Sequence, residues 1–247
     1  MIDKNDLSTM YYDLILVIGK DASLVPILKE ADELKINPDK VILDRTICVP
    51  GFSIERYKKL RNSKLSIFAL SCWGGLIYHQ FGLPFLTPAI NMFFGGNTLK
   101  FLSDPFSYFD KELKFLKFGF EKNLKCNYPI FTLDDLELHM NHYGDVGIEG
   151  ARKKWTERCQ RINRYNTLVM AFTEKKDFLE KFDKISHAKK VCFVNFETDL
   201  DSGFYIEPEI VRGRPFYQPV NQTSLGFMNY DLWDLLIYGK KTPIKIF

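Results

Sequence analysis

The chain lacks any long apolar run. No stretch approaches the roughly 18–20 apolar residues that a membrane-crossing helix requires, so no membrane span is expected. Cysteine is sparse and shows no pairing pattern. There are five, Cys48, Cys72, Cys126, Cys159 and Cys192, an odd number with no C-x-x-C among them. That argues against a disulfide-stapled miniprotein and a zinc ribbon. The Met1–Met10 stretch is polar and acidic, without the basic start and apolar middle of a signal peptide, so reduced thiols and a cytoplasmic location are expected. A strong charge of one sign is also missing. The 34 basic and 31 acidic side chains leave a net charge of +3, too small an excess to point to nucleic acid. The P-loop, H-E-x-x-H and G-x-S-x-G patterns are absent, and the four histidines are too scattered to suggest a metal site. No cofactor or metal is expected.

What is present suits a globular α/β chain. Of 247 residues, 46% are hydrophobic and 15% aromatic, including 22 Phe and 12 Tyr. Asp13–Gly19 is an apolar run closed by glycine, and a helical stripe follows at Leu24, Ile27, Leu28, Ala31 and Leu34. Lys40–Asp44 then reads as a second strand. This βαβ unit resembles part of a Rossmann unit, but Lys20-Asp21-Ala22 stands where a dinucleotide site needs its glycines. Strands are expected at 65–70, 89–94, 129–133, 136–143, 167–173 and 190–195. Helices are expected at 53–61, 73–81, 97–109 with a break at Pro105, 148–163, 176–184 and 230–238. The tail after Thr198 is richer in Gly, Pro and Asn. Such alternation predicts an α/β fold: a three-layer, mostly parallel, Rossmann-like sheet with a small N-terminal βαβ segment. A boundary near Lys64 would divide a partial Rossmann-like segment, 1–64, from a larger α/β domain, 65–247.

Chemistry concentrates at Ser71-Cys72-Trp73-Gly74-Gly75, where a buried strand meets a helix. A helix start presents unpaired N–H groups that stabilise a thiolate or hold an oxyanion. Cys72 is therefore a candidate nucleophile, and Gly74 and Gly75 leave room for a substrate or for a neighbouring strand. A base could come from the 136–143 strand. Its alternation puts His142 on the apolar side with Leu136, Leu138 and Met140, and His139 on the other face with Glu137 and Asn141. Three cations of the 148–163 helix, Lys154, Arg158 and Arg161, fall on neighbouring azimuths and could hold a phosphate or an acidic sugar. Trp155, on that helix's apolar stripe, reads as core. Asp199 and Asp201 form a D-x-D, a short pattern shared with metal-dependent glycosyltransferases.

The stretch Ser71-Cys72-Trp73-Gly74-Gly75-Leu76-Ile77-Tyr78, continuing to Pro88, resembles the signature of a bacterial family of unassigned function whose members are often labelled exopolysaccharide biosynthesis proteins. Tyr128-Pro129-Ile130, His142-Tyr143 and the 154–163 segment are similar to it too. Where the family pattern has Asn before the cysteine, this chain has Ser71. The resemblance implies work on a cell-envelope polysaccharide, with a sugar, nucleotide-sugar or other anionic small molecule as partner. Three functions fit. One is a thiol-dependent transferase or hydrolase with Cys72 as nucleophile and His142 as base. Another is a non-catalytic binder using Trp73, Trp155 and the basic helix. The third is a metal-dependent glycosyltransferase using Asp199 and Asp201.

Overall fold

The computed structural model describes residues 6–7, 9–19, 24–122, 125–206, 230–242 and 244. Lys20-Asp21-Ala22 and most of the Gly-, Pro- and Asn-rich tail lie outside them. Strand β1 (Ile15–Val17) leads to α1 (Leu24–Glu33), a 3-10 turn at Pro38–Lys40 and β2 (Val41–Leu43). The short α2 (Asp44–Ile47) and α3 (Ile54–Asn62) precede β3 (Ser66–Ala69) and α4 (Trp73–Gln80). Next come β4 (Phe93–Gly96), α5 (Thr98–Ser103) and a 3-10 turn at Pro105–Tyr108. Three strands follow in succession, β5 (Lys114–Glu121), β6 (Cys126–Leu133) and β7 (Leu136–His139). The chain continues through α6 (Gly147–Cys159), β8 (Thr167–Thr173), α7 (Lys176–Asp183), β9 (Lys190–Val194), β10 (Gly203–Tyr205) and α8 (Leu232–Tyr238).

The described strands form three sheets. β1 pairs in parallel with β2. The order β10-β9-β8-β3 makes an all-parallel sheet, and β4-β7-β6-β5 makes an antiparallel one. The fold is thus mixed α/β, and the expectation of a mostly parallel sheet is corrected by the second four-stranded sheet. The physical reason lies in the connections. The tight Asp134-Asp135 turn between β6 and β7 cannot supply the long crossover that parallel neighbours need.

The parallel sheet is buried on both faces, and its strands alternate between two cores. Ile67, Ala69, Leu168, Met170, Val191 and Phe193 face a cluster completed by Tyr57, Trp73, Tyr78 and Trp233 from α3, α4 and α8. Their neighbours Phe68, Val169, Ala171, Cys192 and Val194 face a second cluster, which the antiparallel sheet closes with Phe131, Leu133, Leu136 and Leu138. Burial on both faces is why these strands read as unbroken apolar runs. β2 alternates in the same way, sending Ile42 to the first cluster and Val41 and Leu43 to a small N-terminal one with Ala31 and Ile36. Leu16 on β1 and its flanking residues Leu14 and Ile18 remain exposed.

Three helix starts are closed by a side-chain cap. Ser53 accepts from Arg56 N at 3.1 Å, Asn97 from Lys100 N at 3.3 Å, and Asp231 from Asp234 N at 3.0 Å. Arg56 then joins α3 to α8, reaching Asp231 at 2.9 Å and Asp234 at 2.8 Å. The expected strand over 89–94 is displaced. Asn91 adopts a left-handed conformation, φ 53°, which interrupts extension, so β4 begins at Phe93.

Candidate functional site

α4 begins against the buried end of β3. The Ser71 hydroxyl accepts from Trp73 N at 3.3 Å, while Cys72 stands at the cap position without capping through its thiol. Trp73 is buried, with its ring 6.0 Å from that of Phe193, so it belongs to the core and presents no platform to a ligand. The two glycines also have structural reasons. A Cβ on Gly74 would sit 3.3 Å from Ile67 Cγ2, so this glycine lets the helix approach β3. A Cβ on Gly75 would lie 2.3 Å from Asn91 Oδ1, the space being filled by that side chain.

The Cys72 thiol is pushed up to about 11 by burial, which outweighs the lowering from a backbone hydrogen bond, with a lesser upward push from the Glu121 carboxylate. The expected thiolate is therefore corrected: desolvation outweighs the helix start. The histidines are rearranged as well. β7 ends at His139, and the chain turns through Met140–Gly144, with Tyr143 N donating to Met140 O at 3.0 Å. Met140 and Tyr143 are buried anchors, whereas His142 is exposed in the turn. It does not join the apolar face of the strand, because the strand does not reach it. Among the described residues, neither histidine is hydrogen-bonded to Cys72 Sγ.

Two polar constellations lie close by. The first surrounds Tyr143, whose hydroxyl donates to Ile90 O at 2.8 Å and accepts from Arg158 Nη1. Its pKa is raised by burial, against the opposing charge of Arg158, and the Cys72 thiolate form would raise it further, which puts the thiol within electrostatic reach. The Arg158 guanidinium lies 5.6 Å from the centroids of both the Phe85 and Tyr143 rings, and Lys154 Nζ is 5.5 Å over Tyr143. Arg161 does not converge with them. α6 stops at Cys159 rather than Asn163, and Arg161 is exposed beyond it, 3.9 Å from Glu157. Among the described residues, no carboxylate stands within ion-pair distance of Arg158.

The second constellation lies on the outer face of the antiparallel sheet. His139 Nδ1 is 3.4 Å from the Tyr128 hydroxyl, and Nε2 is 3.3 Å from Glu137 Oε2. Pairing of Ile130 with His139 and of Thr132 with Glu137 fixes this common face. Gly119 makes room for Tyr128, since a Cβ there would come within 2.5 Å of the ring. Of these, sequence reasoning placed His139 with Glu137 but missed Tyr128, whose alternation signal was available from β6. The role of Tyr143 was also missed, and only its place in the signature pointed to it.

Asp199 and Asp201 are exposed in the β9–β10 connection. Among the described residues, no group of three or more His, Cys, Asp or Glu side chains is placed to share a metal ion. No helix of the described residues is long and apolar enough to cross a membrane.

By sequence comparison, residues 44–210 match the domain described as Domain of unknown function (DUF1919), and the chain belongs to that family. The matched region holds both constellations. A Haemophilus influenzae protein described as an uncharacterized protein is 29% identical over 143 residues, covering 56% of this chain and 65% of that relative. The chain thus spans less than two thirds of the relative's length.

Proposed function

We propose that this protein binds a nucleotide-sugar or related anionic sugar derivative, in exopolysaccharide or other cell-envelope polysaccharide synthesis on the cytoplasmic side. The envelope context rests on the signature around Cys72. The observation that carries the binding reading is Arg158, a half-buried cation held over two rings and bonded to a neutral phenol instead of a carboxylate. Fixed in plane and unneutralised, it is disposed to take an oxyanion, with Lys154 as its helper. Cys72, protonated at neutral pH, takes no chemical step in this reading. The test is a thermal melt with UDP-glucose, UDP and glucose. The two nucleotides should raise the melting temperature by mass action, and Arg158→Met should abolish the rise. A rise that persists in Arg158→Met, or no rise with either nucleotide, overturns the reading.

A second reading, catalytic, is favoured by the Glu137–His139–Tyr128 chain. An imidazole between a carboxylate and a phenol is suited to proton transfer, and the thiol is then not required. Turnover of an activated sugar that survives Cys72→Ser and is lost in His139→Asn would support it. Loss with Cys72→Ser alone would return the nucleophile to the thiol.

A further inference from the structure

A cleft of about 570 Å³ opens elsewhere, between the 109–113 segment that leads into β5 and the flank of α6. Its walls carry Asp110, Glu112, Arg152, Trp155, Thr156 and Arg164. Trp155 is 4% exposed, and its Nε1–H is buried without a hydrogen-bond partner among the described residues. An unpaired buried donor costs about 1–3 kcal/mol, and Trp155 is one of the residues that line the cleft.

The neighbouring side chains narrow the chemistry. Arg164 lies 5.0 Å over the Phe106 ring and Arg152 5.8 Å over the Phe131 ring, so an aromatic face fixes each guanidinium. Arg152 is engaged by Glu149 at 2.9 Å, but no carboxylate among the described residues is within ion-pair distance of Arg164. Lys111 also lines the cleft but is bonded to Asp134, leaving Arg164 as its open cation. Asp110 and Glu112 are acceptors and require donors, which hydroxyl groups supply. Thr156 can do either.

We infer that this cleft is a second ligand site, distinct from the Arg158 surface, for a polyhydroxylated organic anion. Arg164 takes the carboxylate or phosphate, Trp155 donates its N–H to a ligand oxygen, and Asp110 and Glu112 receive the hydroxyls. A sugar acid and a sugar phosphate share this chemistry.

Isothermal titration of the whole chain with glucuronate, glucose 6-phosphate, glucose and inorganic phosphate tests the inference. At least one of the first two should bind, and more tightly than both glucose and inorganic phosphate. Binding of glucuronate alone identifies the sugar acid, and binding of glucose 6-phosphate alone the sugar phosphate. Arg164→Gln, at an exposed position, should weaken the bound probe about tenfold, and Trp155→Phe, which keeps the ring and removes the donor, should do likewise. Arg158→Met should leave this binding unchanged, which separates failure here from failure of the Arg158 site. Absence of binding by both sugar anions overturns the site. So does wild-type affinity in Arg164→Gln, or inorganic phosphate binding as tightly as the better-bound of the two sugar anions.

Discussion

The two four-stranded sheets share a core and differ in what their other faces meet. The parallel sheet is covered by helices on one side and by the antiparallel sheet on the other. The antiparallel sheet buries Phe131, Leu133, Leu136 and Leu138 but leaves a partly open face carrying Tyr128, Glu137 and His139. A strand buried on both sides has no room for polar work. Polar and ionisable side chains therefore gather where the parallel strands end, near Cys72, and on the open face of the antiparallel partner. The parallel sheet supports, and the antiparallel sheet displays.

The largest test of this contrast is stability. Phe193→Ala, in the doubly covered sheet, should cost about 3–5 kcal/mol in denaturant melts. Glu137→Ala, on the open face, should cost less than about 1 kcal/mol. Equal losses would erase the distinction.

Thiol alkylation gives a second measure. Cys126 on β6 is half-buried, while Cys192 on β9 is fully buried. Cys192 should remain unlabelled by iodoacetamide in the native protein while Cys126 reacts. With its thiol pushed up to about 11, Cys72 is ionised on the order of one part in a thousand at pH 8, and it should be labelled more slowly than exposed Cys48. Cys72 labelling as fast as Cys48 would restore an activated thiol.

At the junction of the two sheets, Gly75→Ala should destabilise by about 2 kcal/mol, since the new methyl meets the Asn91 amide. Asn91→Gly removes that amide and suits the left-handed φ, so the double variant should recover most of the loss. No recovery would place the strain elsewhere.

The smallest effect concerns acid. Tyr108 donates to Asp135 at 2.7 Å, and Lys100 adds to this, holding the Asp135 carboxyl below its ordinary value. A lowered folded pKa means that the unfolded chain binds the proton first. The contribution is therefore present above the ordinary carboxylate pKa and is lost as pH falls through the lowered one. Asp135→Asn should flatten that part of the acid limb of the stability curve. An unchanged limb would mean that the β6–β7 turn is held by other contacts.

The contrast also explains what could be read from residue order. β3, β8 and β9 were legible because burial on both faces demands continuous apolar residues, as in 65–70 and 190–195. β5 was legible only as strand or loop over Leu113–Phe120, because Leu116, Phe118 and Phe120, 46%, 55% and 60% exposed, break the alternation of apolar and polar residues. Helix α4 and its junction with β3 were legible from Gly74, Gly75 and the terminating Gly82. The electrostatics of Cys72 were not, because burial is a property of distant residues packing around the thiol, while the helix start that argued for ionisation is local. For Arg158 and Arg161, helical azimuth predicted a common patch, but an early end to α6 separated them. Tyr143, the residue that organises Arg158, sits in a turn with no periodicity to mark it.

The three tryptophans are divided between the cores. Trp73 and Trp233 lie in the cluster on the helical side of the parallel sheet, and Trp155 in the cluster shared by the two sheets. Intrinsic fluorescence therefore carries two separable signals from one chain. A variant with Trp155→Phe reports the first core alone, and its difference from the parent reports the second. If the melts of the two coincide, the sheets unfold as one cooperative unit. If they separate, the order of separation says which sheet lets go first, with no label added to the protein.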